Sequence, residues 1–222
     1  MNVFIVYWHP EPQSFNAAMF QTACEAFLAA GNAVKTSDLH TMGFDPVSSR
    51  KNFTTIQNPN YFKPQLEEMH ATEMRGFADE IETEIAKIEW CDVMVWQFPL
   101  WWAGLPAVFK GWVDRVFALG RTYGNGRYYE TGAFRGKRAL LSLTAGGTEE
   151  AFRKGGFNGD MAGILRPIHR GILQFVGFEV LKPQIVYAPA RLTEAQRKDE
   201  LTTFSRRLQH LADESPYDVG IY

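Results

Sequence analysis

The sequence predicts an α/β fold built on a parallel, doubly wound sheet, and two features carry that expectation. Short apolar runs such as Val3–Tyr7 and Val93–Trp96 are continuous rather than alternating, the pattern of strands covered on both faces. Stretches with helical spacing separate these runs through the whole chain, so strand and helix alternate as crossover units require. No internal repeat or linker breaks the series, and the expectation is a single unit over residues 1–222.

In chain order, the Val3–Tyr7 strand ends in the loop Trp8–Asn16, and Ser14 is placed to cap the following helix. Phe20, Cys24, Phe27 and Leu28 give that helix its expected buried stripe, and Gly31 ends it. Ala33–Thr36 is a short second strand. Residues 38–75 carry three prolines and little periodicity, an irregular insertion of the length that usually serves a site or an interface. Phe77–Ile88 returns to helical spacing before the Val93–Trp96 strand. Leu105, Val108, Phe109, Trp112, Val113, Val116 and Phe117 then form a full amphipathic stripe. A glycine-rich aromatic loop, Tyr123–Phe134, leads to the fourth strand, Arg138–Thr144. Met161, Ile164, Leu165, Ile168, Ile172 and Phe175 share one helical face, and Phe178–Val186 contains the fifth strand. Thr193 and Gln196 form a capping box for the last helix, which buries Leu201, Phe204, Leu208 and Leu211.

Composition narrows the function. With 45% hydrophobic and 14% aromatic residues the 222-residue chain can build a large core, which excludes disorder. The net charge of −2 leaves no basic field to recruit nucleic acid. Cys24 and Cys91 sit in apolar surroundings and read as small hydrophobes rather than a disulfide or metal pair, and no metal-ligand spacing is present. The apolar runs are far too short to span a membrane, and Met1–Asn2 leads directly into a strand; a cytoplasmic protein is expected.

Three loops leave predicted strand ends with unusual content. Trp8–Asn16 opens a helix whose free amides and dipole suit an anion, with His9, Gln13, Ser14 and Asn16 as added donors. Pro99–Gly104 carries Trp101 and Trp102 where a turn is ordinarily polar, which suits a planar ring. Thr144–Gly147 offers amides on glycines that let a ring approach closely. Taken singly, each has a plainer reading as a helix cap, core packing or a turn. In an open parallel sheet, however, ligands gather at the carboxyl ends of the strands, where these three converge. Neither GxGxxG nor GxxxxGK[ST] occurs.

The blocks His9-Pro10-(three)-Ser14-Phe15-Asn16, Gln97-Phe98-Pro99-Leu100-Trp101-Trp102-Ala103-Gly104-(one)-Pro106-Ala107-(two)-Lys110-Gly111-Trp112 and Thr144-Ala145-Gly146-Gly147 resemble the flavodoxin-like NAD(P)H:quinone oxidoreductases. Asn158–Met161, Arg166–Ile168 and Gly171–Phe178 are similar too, and the likeness runs from Val3 to about Pro216. The chain stops at Tyr222, as short bacterial members do. The resemblance implies a five-stranded sheet in the order 2-1-3-4-5, an FAD cofactor with FMN as the open alternative, and a homodimer whose sites are completed across the interface. Position by position it implies that His9, Ser14, Phe15 and Asn16 hold the flavin pyrophosphate and ribityl chain. Pro99, Leu100, Trp101, Trp102, Ala103, Thr144, Ala145, Gly146 and Gly147 would line the isoalloxazine, with Trp102 the indole expected beside it. Arg197 falls near the adenine end, and Lys63 near a contact made across the dimer. Tyr123 and Asn125 correspond to two substrate-facing tyrosines.

One departure bears on chemistry. A tyrosine and a histidine proposed in the family to steady charge correspond here to Phe152 and Asn158, neither of which moves a proton. The amides of Gly146 and Gly147 are left to meet developing negative charge. The expected activity is hydride transfer from NAD(P)H to the flavin, then two electrons to a quinone or similar aromatic, in alternating turns. Two other roles stay open: a flavin-binding regulator of a potassium efflux system, and a flavodoxin-type carrier, although such carriers are strongly acidic.

Overall fold

Val3 and Ile5 point to one face of the first strand and Phe4 and Val6 to the other, and all four are fully buried. That arrangement fixes the layers. In the computed structural model, which describes residues 1–220, the strands β1 (Asn2–Tyr7), β2 (Ala33–Asp38), β3 (Val93–Pro99) and β4 (Arg138–Ala145) pair in parallel. With β5 (Glu179–Val180) at the far edge, the sheet order is β2-β1-β3-β4-β5, as expected. The last two residues of the expected 1–222 unit lie outside the described ones.

On one face, Val3, Ile5, Val93, Val95 and Leu140 pack on helices α1 (Phe15–Ala29) and α6 (Glu194–Gln209) through Met19, Phe27, Phe204 and Leu208. On the other, Phe4, Met94, Trp96, Phe98 and Leu141 meet helices α3 (Asp79–Trp90), α4 (Ala107–Val116) and α5 (Met161–Ile168) through Ile81, Ile85, Phe109, Trp112 and Leu165. Each such side chain contributes about 1.5–3 kcal/mol on leaving water. Ser14 caps α1 by accepting from the Ala17 amide, and the Thr193–Gln196 box caps α6. No helix among the described residues is long and apolar enough to cross a membrane. Cys24 is half-buried, Cys91 is buried, and both are free.

Four expectations need correction. The buried face of α1 consists of Asn16, Ala17, Met19, Ala23, Ala26 and Phe27, whereas Leu28 is exposed, because the helix sits between the sheet and α6 and is apolar over most of its circumference. The irregular 38–75 region contains a helix, α2 (Pro64–Met74), opened by Pro64 at its first position. Phe178–Val186 divides into β5 (Glu179–Val180) and β6 (Gln184–Tyr187), both parallel to β4, with Pro183 and its missing N–H in the break. Finally, the helical face that begins at Met161 changes register. Pro167 lies inside α5, and residues His169–Gln174 continue with the wider π spacing.

Candidate active site

All three loops meet at the carboxyl edge of the sheet, and buried polar side chains tie them together. Gln97, near the end of β3 and fully buried, donates from Nε2 to Asn16 Oδ1 at 2.7 Å. Asn16 Nδ2 in turn donates to Thr144 Oγ1 at 2.6 Å. Backbone bonds fasten the same junction, from Leu100 N to Thr144 O at 2.8 Å and from Trp8 N to Gln97 O at 3.2 Å. Buried side-chain amides in a low-dielectric interior hold their partners in one geometry, since an unmade bond there costs about 1–3 kcal/mol.

Each loop presents something different to the edge. Ser14 Oγ is used by the Ala17 amide, while the Phe15 and Asn16 amides in the first turn of α1 donate to no group among the described residues. His9 Nδ1 lies 3.0 Å from the Glu11 amide nitrogen and 3.2 Å from the Glu11 carbonyl oxygen. Burial pushes the pKa of His9 down. The second loop is a tight turn closed by Trp101 N to Gly104 O at 3.2 Å and Gly104 N to Trp101 O at 3.0 Å. The Gly104 amide is therefore committed within the turn. The two central residues, Trp102 and Ala103, have φ of 49° and 56°, a left-handed conformation that costs a non-glycine residue about 1–2 kcal/mol. This strained turn leaves Trp102 fully exposed, whereas Trp101 stands edge-on to Trp8 at 5.1 Å and beside His9. In the third loop a Cβ on Gly146 would meet nothing within 4 Å, and the amides of Gly146 and Gly147 donate to no group among the described residues.

Residues 1–210 match a family described by its flavodoxin-like fold. Human ribosyldihydronicotinamide dehydrogenase (quinone) is 40% identical over 215 residues, 96% of this chain and 93% of the relative. NAD(P)H dehydrogenase (quinone) 1 of Cavia porcellus is 40% identical over 213 residues, 96% of this chain and 78% of the relative. A crystal structure from Klebsiella pneumoniae, assigned provisionally as a quinone reductase, superposes with a TM-score of 0.91 at 35% identity, covering 97% of this chain and 86% of that one. The chain belongs to the flavodoxin-like family of quinone dehydrogenases.

The remaining positions singled out by the family likeness fall into two groups. Phe152 and Asn158 lie against the glycine pair: a Cβ on Gly147 would come within 2.7 Å of Asn158 Nδ2 and 3.0 Å of Phe152 Cε2. Phe152 also packs on Tyr187 with ring centroids 5.9 Å apart. Tyr123 and Asn125 are not joined to the three loops within this chain. Tyr123 packs on Phe175 at 5.7 Å and lines a cavity of about 230 Å³ with Glu68, Phe117 and Ile172, and Asn125 is exposed with φ of 56°. Lys63 is exposed ahead of α2, and Arg197 spends its Nη1 on the carbonyl oxygens of Leu192 at 2.5 Å and Pro189 at 3.4 Å. The sequence reading did not place Gln97 among the site residues. Its signal is a lone amide inside the apolar run Val93–Phe98, where a buried polar side chain needs partners.

Proposed function

We propose that this member of the family is an FAD-dependent NAD(P)H dehydrogenase (quinone), taking hydride from NAD(P)H and passing two electrons to a quinone or similar aromatic acceptor. The observation that carries this reading is the Gln97–Asn16–Thr144 junction, which gathers anion donors, an exposed indole and a glycine shelf on one edge. The residues fit a flavin. The uncommitted Phe15 and Asn16 amides at the positive end of α1, with the neighbouring His9 ring, suit a pyrophosphate. The open space over Gly146 and the indole held out by a strained turn suit a flat ring. FAD is favoured over FMN because a pyrophosphate uses both the amides and the histidine.

When bound, the flavin supplies the two-electron redox chemistry that no side chain here possesses. The chain's own contribution is orientation and fixed dipoles. Gly146 and Gly147 direct N–H groups at the charge that develops during transfer, and Asn158 adds a neutral donor beside them. Phe152 and Asn158 exchange no proton, so they contribute no ionisation to the rate between pH 6 and 8. One stacking place serves NAD(P)H and acceptor in turn, giving ping-pong kinetics; intersecting double-reciprocal lines would count against it. A second copy of the chain supplies Tyr123 and Asn125 to the site. Exposed Val47, Ile56, Tyr61, Leu66 and Met74 on the 38–75 region support that assembly. Two free cysteines and no disulfide among the described residues suit the cytoplasm.

The deciding experiment is the absorbance spectrum of purified protein, with released flavin identified by mass and bleaching followed under NADH and NADPH without oxygen. A protein that neither carries flavin nor takes it up overturns the proposal. The variant Phe152→Tyr with Asn158→His should keep its flavin content and gain a pH-dependent rate; an unchanged pH profile would show that these positions do not govern charge.

A further inference from the structure

The cavity of about 230 Å³ beside Tyr123 lies between α2, α4 and the π segment, and its lining is aromatic and acidic. Phe117, Tyr123 and Phe175 bring three rings to it, and Val113, Gly171, Ile172 and Val176 complete an apolar wall. The charged side chains in the lining are Glu68 and Asp114, both carboxylates, with no cationic residue among the described ones beside them. Asp114 is half-exposed and already holds Lys110 Nζ, at 2.6 and 2.9 Å. Glu68 is only 8% exposed; its Oε2 accepts from the Leu119 amide at 2.6 Å, and its Oε1 accepts from no group among the described residues. Unlike the orphan atoms shut inside the core, such as Trp96 Nε1, this oxygen stays accessible. The adjacent Glu67 shows what a settled buried carboxylate requires: the Arg50 guanidinium and the amides of Gln57 and Asn58 all donate to it. Glu68 has one amide and no ion-pair partner among the described residues, and burial pushes its pKa up.

We propose that this cavity binds a monocyclic aromatic cation, an arylalkylammonium, with its ring among Phe117, Tyr123 and Phe175 and its ammonium on Glu68 Oε1. The volume is sufficient, since a cavity of ~150 Å³ accommodates benzene and the remainder takes a methylene and an ammonium. Both parts of the lining attract such a guest. Ring faces draw a cation through their quadrupole, and an ammonium gives Oε1 the charge-assisted donor it lacks. A neutral ring would leave Oε1 as it is, and an anion would meet two carboxylates with no cation free to receive it. The binding preference stands on the cavity alone. Its extension to catalysis rests on the proposed function, in which Tyr123 serves the substrate: cationic aromatic acceptors are then preferred over anionic ones.

The test is calorimetric titration of the purified protein near pH 7 with benzylammonium, benzyl alcohol and benzoate, which share a ring and differ in charge. Benzylammonium should bind at least ~10-fold more tightly than benzyl alcohol, and benzoate more weakly than either. Glu68→Gln keeps the shape, removes the charge and should bring benzylammonium and benzyl alcohol within ~2-fold of each other. The cation needs an ionised Glu68, so its affinity should rise with pH through the acid range in wild type and stay flat in the variant. The other titratable groups facing the cavity are Asp114, held by Lys110, and Tyr123, whose phenol burial pushes up, away from that range. No saturable heat with benzylammonium, or benzyl alcohol or benzoate binding as tightly, overturns the proposal. The wild-type series decides the matter even where the variant fails to fold. Flavin content is read separately by absorbance: a protein that carries flavin but shows no charge preference refutes this inference alone, and one that shows the preference but takes up no flavin refutes only the proposed function.

Discussion

Trp102 lies in the turn between β3 and α4 and Trp112 in α4 itself, and the two have opposite surroundings. Trp112 is fully buried, edge-on to Trp96 at 6.1 Å and Phe117 at 5.8 Å. Its indole N–H donates to Glu84 Oε2 at 2.8 Å, and Glu84 also accepts from Ser37 and Lys87. Trp102 has no ring partner among the described residues, full exposure and a left-handed backbone. One indole stabilises the fold; the other is held outside it at a conformational cost. A β3–α4 unit that combines both spends part of the stability gained behind the sheet on geometry at its edge.

The largest way to break this contrast is Trp112→Ala. It should destabilise the protein by about 3–5 kcal/mol, from lost packing and a Glu84 oxygen stripped of a donor, as read in urea unfolding. Next comes acid. His169, unlike Trp112, has a buried ring nitrogen, Nε2, without a hydrogen-bond partner among the described residues, and its pKa is lowered to about 4 against about 6.5 in the unfolded chain. The unfolded state binds more protons between those values, so stability is level above pH 6.5 and falls as pH drops towards 4. The loss between pH 7 and pH 5 should be about 2 kcal/mol in wild type and absent in His169→Phe. Smaller again is Asn16→Ala, which leaves Thr144 Oγ1 without its donor and Gln97 Nε2 with only the Met19 sulfur at 3.8 Å, and should cost about 2 kcal/mol or less while weakening flavin retention.

What the sequence revealed follows the same division. Strands with continuous apolar runs, the Ser14 cap and the Thr193–Gln196 box were legible because each rests on local chemistry. Helix α2 was not, because its apolar residues Leu66 and Met74 face outward while Glu67 and Glu68 are buried. Burial alone would raise the pKa of Glu67, but the amides of Gln57 and Asn58 and the Arg50 guanidinium hold it low. Glu68 accepts from the Leu119 amide at 2.6 Å. Inward carboxylates satisfied by distant backbone groups cancel the period on which a helix is recognised. The π segment after Pro167 escaped for a related reason, since its apolar spacing is close to that of an ordinary helix. At the site, the loops could be named from composition, but the junction that joins them depends on Gln97, Asn16 and Thr144 meeting in three dimensions.

The smallest effect tests the contrast most sharply, because it should reverse sign. Trp102→Gly relieves a left-handed φ at no steric cost, a gain of about 1–2 kcal/mol that is partly cancelled by the extra freedom of glycine in the unfolded chain. Its melting temperature should equal or slightly exceed that of wild type. Trp102→Ala keeps the strain, lacks the indole and should leave stability within ~0.5 kcal/mol. If the indole serves the cofactor, both variants lose flavin equally on dialysis despite their different backbones. If the turn geometry is what matters, only the glycine variant loses it. Two substitutions at one exposed residue thereby separate what the ring does from what the strained backbone does.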